Sequence, residues 1–198
     1  MADSEHPERA NVRRSIRAAE ALFKRIGFRA VTMEAVARDA NISKVTLYSY
    51  FRNKDELFLA VCQRMAELLR SAVEAALTPA DAPLDTRIAR AVIAKHRMVF
   101  TLVRGSAHAA ELFSSKDAIA GDVFAALDVA VLTLLERAIA ADPQLSRRAE
   151  RLARALYFGC ADLAARGSSA AAMQDDLEDF VAVHVAGARA LSRQEDAS

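Results

Sequence analysis

Apolar residues recur at intervals of three or four along most of this chain, which is the spacing of one face of an α-helix. The first such stripe, within residues 10–26, consists of Val12, Ile16, Ala19, Phe23 and Ile26. Gly27 follows it directly, and glycine adopts the left-handed conformation of a helix C-cap without steric cost. The pattern therefore predicts a first helix that ends at Gly27.

Two short helices are expected to follow this glycine. Thr32 and Ser43 are suited to cap them, because a hydroxyl oxygen can accept a hydrogen bond from a backbone N–H of the first helical turn. The first is expected to end near Ala40 and the second, from Lys44, near Phe51.

The rest of the chain has the pattern of further helices. Asn53 and Glu56 form a capping box, which predicts the start of a long helix. A linker over residues 78–83 contains Pro79 and Pro83, and helices are expected over residues 84–104, 107–113, 117–140, 143–166 and 171–191. With only 6 Gly and 4 Pro, the composition excludes a β-sandwich or a collagen-like chain. We expect an all-α protein.

Positive charge is concentrated near the N-terminus. The whole chain has a formal net charge of +1, yet residues 9–54 contain eleven Lys or Arg against three acidic residues. That is +8 for this segment, which leaves −7 for the rest of the chain. Such a basic segment indicates a polyanionic partner, and a DNA backbone could be approached by Arg9, Arg13, Arg14 and Arg17.

Residues 33–51 have the spacing of a helix-turn-helix unit, in which two short helices cross at a steep angle around a few apolar side chains. The apolar positions that would join the helices are Val36, Ala40, Ile42, Leu47 and Tyr50. Ala37 is small where the helices would approach, and Asn41 occupies the turn, where Asn tolerates a positive φ. Because the second helix of such a unit enters the DNA major groove, the pattern predicts DNA binding.

Thr32, the run from Asn41 to Phe51 and the run from Asn53 to Leu57 together resemble the N-terminal signature of TetR-type transcriptional regulators. The resemblance covers residues 10–58. It implies a homodimeric repressor whose N-terminal helices bind palindromic operator DNA and whose C-terminal domain binds a small effector that releases it. Val45 departs from the family pattern, where Gly is frequent, so the operator sequence does not follow from the resemblance.

The domain organisation expected from these features has three parts. A flexible tail covers residues 1–9, a three-helix helix-turn-helix domain residues 10–56, and a helical bundle for effector binding and dimerisation residues 57–198.

The helix from Lys44 has the size to lie in a major groove with its first side chains at base edges. The candidates for base contacts are Lys44, Thr46 and Tyr48, with Val45 placed for thymine methyl groups. The candidates for phosphate contacts are Thr32, Ser43, Tyr50 and Lys54. Structural alternatives stay open. The hydroxyls of Thr32 and Ser43 could serve as helix caps only, and Tyr48 could be a core aromatic residue. Lys44 and Lys54 could be solvated charges.

A two-fold dimer reads two half-sites, so the downstream helices are expected to dimerise. The candidate interface residues are Leu152, Leu156, Gly159, Phe180, His184 and Ala188. Gly159 and Gly187 lie inside predicted helices, where Gly costs about 1 kcal/mol relative to Ala, so a neighbouring helix is expected close to them. The same faces could instead pack within one subunit.

The middle helices carry apolar side chains that could line a pocket for a hydrophobic effector. The candidates are Met65, His96, Phe100, His108, Phe113, Phe124, Leu127 and Phe158. A Met or aromatic residue at helical spacing is more often an ordinary core residue, so that alternative stays open for each of them.

Two other functions are compatible with this chain. An architectural DNA-binding dimer would need no effector, and a helical enzyme could use the scattered His, Cys and acidic side chains, although no metal, nucleophile or phosphate-loop motif supports it. No metal or cofactor is expected, and Cys62 and Cys160 are expected to be reduced thiols. No apolar run approaches the ~18 residues of a membrane span, and no signal peptide is evident, so the expected location is the cytoplasm.

Overall fold

The computed structural model describes residues 7–78, 82–104 and 107–196, and all regular elements within these ranges are helical. The α-helices are α1 (Pro7–Ala30), α2 (Met33–Asp39), α3 (Lys44–Tyr50), α4 (Lys54–Leu77), α5 (Leu84–Arg104), α6 (Ala109–Ala140), α7 (Ala149–Arg166) and α8 (Ala170–Asp196). The all-α prediction is confirmed. Residues 1–6 of the expected tail and 79–81 of the expected linker lie outside the described ranges.

Helix α1 leaves helical geometry at Gly27, where φ is 81° and ψ is 162°, and a short helical segment then continues to Ala30. The break falls at the predicted position because glycine adopts a positive φ without steric cost. The helix begins at Pro7, three residues earlier than expected. Ile26 was predicted to lie on the apolar face but is exposed, and Leu22 is buried instead.

The first of two compact units comprises Met1–Ala66 and Leu102–Phe124. Its core contains the rings of Phe23, Phe28 and Phe58, whose centroids lie 4.9–5.6 Å apart. Leu112 and Ala120 of α6 belong to the same buried cluster. The helices that carry the basic charge are therefore packed together with the first half of α6, while the predicted functional division after residue 56 stays a prediction.

The second unit comprises Glu67–Thr101 and Ala125–Ser198. Its fully buried side chains include Leu135, Ile139, Leu156, Met173 and Leu177, contributed by α6, α7 and α8. Helix α7 packs along α8, where the ring of Phe180 lies directly over Gly159. The close helix approach expected at Gly159 is confirmed within one chain.

Helix α6 corrects the predicted break after residue 113. It runs from Ala109 to Ala140, and its one non-helical residue among those described is Ala120, with φ −128° and ψ 20°. Ser114, Ser115 and Lys116 include neither Pro nor Gly, so nothing in this segment stops helical hydrogen bonding.

The last two helices also differ from their predicted bounds. Helix α7 begins at Ala149 rather than Pro143, because the Asp142 carboxylate accepts a hydrogen bond from Gln144 N and closes a turn there. A 3₁₀ turn (Ser146–Arg148) then precedes the helix. Helix α8 extends to Asp196, beyond the predicted end.

Helix α6 is also long and apolar enough, by length and composition, to cross a membrane, since one 18-residue window has a mean hydropathy of 2.0. The sequence expectation concerned uninterrupted apolar runs, whereas this criterion averages hydropathy over a window. The sequence contains no uninterrupted apolar run of this size, because Asp122 and Asp128 lie within the helix. Core helices of soluble proteins meet the same criterion.

Candidate nucleic-acid interface

Helices α2 and α3 are each closed at the N-terminus by the hydroxyl that the sequence predicted. Thr32 Oγ1 accepts from Ala35 N at 3.2 Å, and Ser43 Oγ accepts from Thr46 N at 3.0 Å. Asn41 has a φ of 53°, and Ile42 N donates to Ala37 O at 3.0 Å across the turn. The two helices are thus joined by the tight turn of a helix-turn-helix unit.

The inward face of this unit is apolar and closely packed. Val36 and Leu47 have no exposed surface, and Ala37 and Ala40 are almost fully buried. Tyr50 is half-buried, and its hydroxyl accepts a hydrogen bond from Asn11 Nδ2 of α1 at 3.4 Å. The ring of Tyr50 therefore helps to pack α3 against α1, which leaves its hydroxyl at the edge of the unit.

The opposite face of α3 is turned away from the core. Val45 is 81% exposed and Tyr48 is 41% exposed, so the alternative reading of Tyr48 as a core residue does not fit. Ser49 and Arg52 are exposed as well. They were not among the predicted contact residues. Ser49 could have been found, because it follows Val45 by one helical turn on the same face, whereas Arg52 lies beyond the end of α3 at Tyr50.

Lys44 lies at the start of α3 and forms an ion pair with Glu34 of α2. Both side chains are exposed, and the hydrogen bond between them lowers the pKa of Glu34 and raises that of Lys44. The Lys44 ammonium also lies 5.7 Å from the centroid of the Tyr48 ring. Thr46 is half-buried, and its hydroxyl is 2.7 Å from the Ser43 hydroxyl.

Lys54 is positioned differently from the other predicted contact residues. Its Nζ donates to Phe28 O at 2.9 Å and to Arg29 O at 3.1 Å, and it lies 4.6 Å from the centroid of the Phe28 ring. Two of its three donors are therefore used to hold the end of α1. A contact between Lys54 and phosphate stays a prediction. Such a contact would use the third N–H donor of the ammonium.

The start of α4 shows a variation on the predicted capping box. Asn53 Oδ1 accepts from Glu56 N at 2.8 Å, as the box requires. The Glu56 carboxylate accepts from Arg52 N at 2.7 Å, one residue further back than in the standard arrangement. This contact fixes the backbone between α3 and α4.

The first turns of α1 add positive charge beside α3. Arg9, Arg13, Arg14 and Arg17 are all exposed. The Asn11–Tyr50 hydrogen bond places this part of α1 next to the C-terminal end of α3. The Arg14 guanidinium donates to Asn11 Oδ1 at 2.5 Å, so the same asparagine links the basic segment to the helix-turn-helix unit.

The end of α1 is held from its other side by α6. Glu111 Oε1 accepts a hydrogen bond from Arg29 N at 2.5 Å. A Cβ atom built on Gly27 would lie 2.5 Å from Glu111 Oε2 and 2.9 Å from His108 Nδ1. We call residues 27–29 with His108 and Glu111 the α1–α6 clamp. Because its residues are about 80 positions apart, no local sequence signal could have predicted it.

The predicted effector residues are divided between the two units, and their joint role stays a prediction. Met65, Phe113 and Phe124 line a cleft in the first unit, whereas His108 belongs to the clamp. In the second unit Leu127 is buried and Phe158 is 55% exposed. Phe100 is half-buried there.

His96 is buried in the second unit and follows Lys95 in the chain. Burial, with a smaller contribution from the neighbouring Lys95 charge, lowers the pKa of His96 to about 4. Burial also lowers the pKa of Lys95 to about 8, although Asp128 opposes the shift. Tyr157 joins the two charged groups, since it accepts a hydrogen bond from Lys95 and donates one to Asp128.

The predicted dimer-interface residues are partly buried within the chain. Leu152 and Leu156 pack inside the second unit, while Phe180, His184 and Ala188 are half-buried. The apolar side chains with large exposed surfaces on α7 and α8 are Phe158, Val183 and Leu191. An ideal Cβ at Gly187 would meet no atom within 4 Å, so the packing described within this chain does not explain a glycine there.

Comparison with known proteins identifies the segment that carries the helix-turn-helix unit. Residues 16–61 match the family of bacterial regulatory proteins described as the tetR family. The helix-turn-helix-type transcriptional regulator YhgD of Bacillus subtilis, itself uncharacterized, is 33% identical over 79 residues. The match covers 40% of this chain and 41% of that relative, so the sequence similarity spans less than half of either protein.

Similarity of fold extends over nearly the whole chain. A structure from Mesorhizobium loti, assigned to the TetR-family transcriptional regulators, superposes with a TM-score of 0.70 at 19% identity and covers 92% of this chain and 98% of its own. The regulator FadR of Bacillus subtilis, solved in complex with stearoyl-CoA, superposes with a TM-score of 0.58 at 17% identity, covering 85% and 96%. The matched family consists of regulatory proteins and not of enzymes.

Proposed function

We propose that this chain is a transcriptional regulator of the TetR type that reads duplex DNA with the outward face of α3. The observation that carries the proposal is the exposure of Val45 and Tyr48 on a short capped helix whose other face is fully buried. A helix presented in this way can enter the major groove and place side chains at base edges. Lys44, Thr46, Ser49 and Arg52 would contribute to the same contact.

Phosphate contacts would flank this helix. The exposed arginines at the start of α1 lie beside α3, and Thr32 and Ser43 mark the N-termini of α2 and α3. Backbone N–H groups and positive side chains in such positions hold the DNA backbone without reading its sequence. The net charge of +8 in residues 9–54 supports this arrangement.

A homodimer on a palindromic operator is the expected assembly. One helix-turn-helix unit reads only a few base pairs, whereas two copies related by a two-fold axis read two half-sites. Phe158, Val183 and Leu191 are exposed apolar side chains on α7 and α8, and Gly187 leaves room for close approach by a partner copy. We place the dimer interface on this face. The proposed location of the protein is the cytoplasm, where DNA is accessible.

The regulator is proposed to be a repressor released by a hydrophobic effector. Such release requires that the effector bind the DNA-competent and DNA-incompetent states with different affinities. The α1–α6 clamp offers a route, because a shift of α6 would disturb the end of α1 in the same unit. An architectural dimer without an effector is the alternative, and it would bind its operator with the same affinity under all ligand conditions.

Selection of bound duplexes from a random pool tests the DNA-binding proposal. We expect enrichment of a sequence with two-fold symmetry, and Val45→Glu should weaken binding to that sequence at least about tenfold by placing an unpaired carboxylate at the bases. Val129→Glu is the matched control, since Val129 is 65% exposed on α6 and should leave binding unchanged. Enrichment of no sequence, or equal effects of both variants, would contradict the proposal.

A further inference from the structure

The Lys44 ammonium is held by two groups from different helices. Glu34 of α2 forms an ion pair with it, and the centroid of the Tyr48 ring of α3 lies 5.7 Å from Lys44 Nζ, within the range of a cation–π contact. The carboxylate is itself fixed, since hydrogen bonds from Lys44 and, to a lesser extent, from Thr32 lower the pKa of Glu34. The lysine at the start of α3 is therefore oriented before any DNA is bound.

Glu34 differs from the other acidic residues of the basic segment. Residues 9–54 contain three acidic side chains, and two of them are paired with cations on α1, α2 and α4. These pairs are Glu20 with Lys24 and Arg64, and Asp39 with Arg25 and Arg38. The ion pair described for Glu34 is instead with the first residue of α3. Glu34 thus acts on the helix proposed to contact the bases.

A carboxylate in this position is unfavourable for binding that ignores the DNA sequence. Glu34 and Lys44 are both more than half exposed, so both would lie near the duplex. The pair has no net charge, and it therefore contributes little to the counterion release that drives non-specific binding. An exposed pair also adds little to the stability of the fold. The arrangement favours binding only where an acceptor on the DNA meets the Lys44 ammonium.

The remaining donors of this ammonium match one base. An ammonium has three N–H donors, and the hydrogen bond to Glu34 uses one of them. In the major groove, guanine presents two neighbouring acceptors, O6 and N7, whereas adenine presents its N7 acceptor beside an N6 donor. Cytosine presents a donor, and thymine presents one acceptor beside a methyl group. A lysine with two free donors therefore fits guanine better than the other three bases.

We infer that Glu34 is a positioning residue that directs the Lys44 ammonium to the O6 and N7 atoms of a guanine in each operator half-site. The inference rests on the proposed function and deepens it by naming one base and the residue that makes its recognition selective. Loss of the Glu34 carboxylate frees Lys44 to reach a phosphate. Non-specific binding then becomes tighter, while discrimination at this base pair falls.

Selection of bound duplexes by the wild-type protein, Glu34→Gln, Lys44→Met and the double variant tests the inference. The wild-type protein is expected to enrich a guanine at one position of each half-site. Both single variants should lose the preference at that position and keep the rest of the sequence. Replacing this guanine by 7-deazaguanine, which lacks the N7 acceptor, should weaken wild-type binding about tenfold and binding by Lys44→Met less than about twofold.

Two measurements separate positioning from other roles of the carboxylate. On a non-specific duplex, Glu34→Gln should increase the magnitude of the log–log salt slope by about 0.9, because Lys44 then neutralises a phosphate. In the Lys44→Met background, Glu34→Gln should cause no further change in guanine preference. A direct contact between Glu34 and a cytosine N4 group would persist in that background and would overturn the inference.

The matched control is Glu67→Gln. Glu67 is an exposed residue of α4 that forms an ion pair with Arg70 in the second unit, so its replacement should leave the selected sequence and the salt slope unchanged. If the wild-type protein selects a two-fold symmetric sequence and either Lys44→Met or Glu34→Gln keeps every guanine preference, the inference fails while the proposed function stands. If the wild-type protein selects no sequence, both fail.

Discussion

The ring of Phe180 lies so close to Gly159 that a Cβ atom on this glycine would be 2.3 Å from Phe180 Cζ. The absence of a side chain at Gly159 is thus what allows α7 and α8 to pack with Phe180 between them. Gly187 lies on α8 with no atom near its missing Cβ. The two glycines therefore have different reasons for their presence, although both sit inside helices.

Replacing each glycine by alanine should have opposite effects. Gly159→Ala is expected to lower the free energy of unfolding by about 1 kcal/mol, because displacement of the Phe180 ring outweighs the gain in helix propensity. Gly187→Ala should stabilise the single chain by about 0.5–1 kcal/mol, yet weaken dimerisation if the partner copy approaches there. Urea unfolding measures the first effect and sedimentation the second. An unchanged dimer affinity for Gly187→Ala would remove this glycine from the proposed interface.

The α1–α6 clamp predicts a non-additive pair of substitutions. Glu111→Ala removes the acceptor for Arg29 N and should cost about 1 kcal/mol of stability, while Glu111→Gln keeps an acceptor oxygen and should cost less. Gly27→Ala should cost more than 1 kcal/mol, because alanine at φ 81° is strained and its Cβ meets Glu111. In the double variant with Glu111→Ala, the Gly27→Ala penalty should shrink, as a double-mutant cycle would reveal.

The matched control for the clamp is Glu67→Ala. Glu67 forms an ion pair with Arg70 on the surface of α4, away from the clamp. Loss of the Glu67 carboxylate should therefore change stability little. Strict additivity of Gly27→Ala and Glu111→Ala would mean that the two residues are not coupled.

Lys54→Met distinguishes a structural role from a DNA contact. The Lys54 ammonium holds two backbone carbonyls at the end of α1, so its loss should lower the midpoint of urea unfolding. If Lys54 also neutralises a phosphate, the log–log slope of DNA affinity against salt should decrease in magnitude by about 0.9. A stable variant with a reduced slope would assign Lys54 to DNA alone, and a destabilised variant with an unchanged slope would assign it to the fold.

The local signals for helix termini were sufficient to predict the helix-turn-helix unit. Thr32, Asn41 and Ser43 determine their own neighbourhood through hydrogen bonds or φ, so their roles could be read from the sequence. The partners of Lys54 and Glu111 could not, because these contacts depend on how distant helices pack. The grouping of the effector candidates could not be derived from the sequence either, since helical spacing places a residue on a face without saying what that face meets.

Stability should depend on pH through His96 and Lys95. The folded pKa of His96 is about 4 against an ordinary value of 6.5. Between these values the unfolded chain binds a proton that the folded chain does not, so the free energy of unfolding should fall as pH decreases from 6.5 to 4, by up to about 3 kcal/mol.

Lys95 should act by the same rule at higher pH. Its folded pKa is about 8 against 10.5, so stability should rise as pH increases from 8 to 10.5. Urea titrations across both ranges measure these slopes. His96→Asn should flatten the acidic limb alone, and a wild-type acidic limb that survives this change would have to come from other groups.

The two native cysteine thiols are expected to be unreactive. Cys62 and Cys160 are buried, and burial raises their pKa values to about 11 and 12, so almost no thiolate is present near neutral pH. A cysteine engineered on the outward face of α3 or on α8 would then be the fast-reacting site for a maleimide dye or spin label. Distances between labels across an assembly could be followed in this background without first deleting the natural sulfur groups.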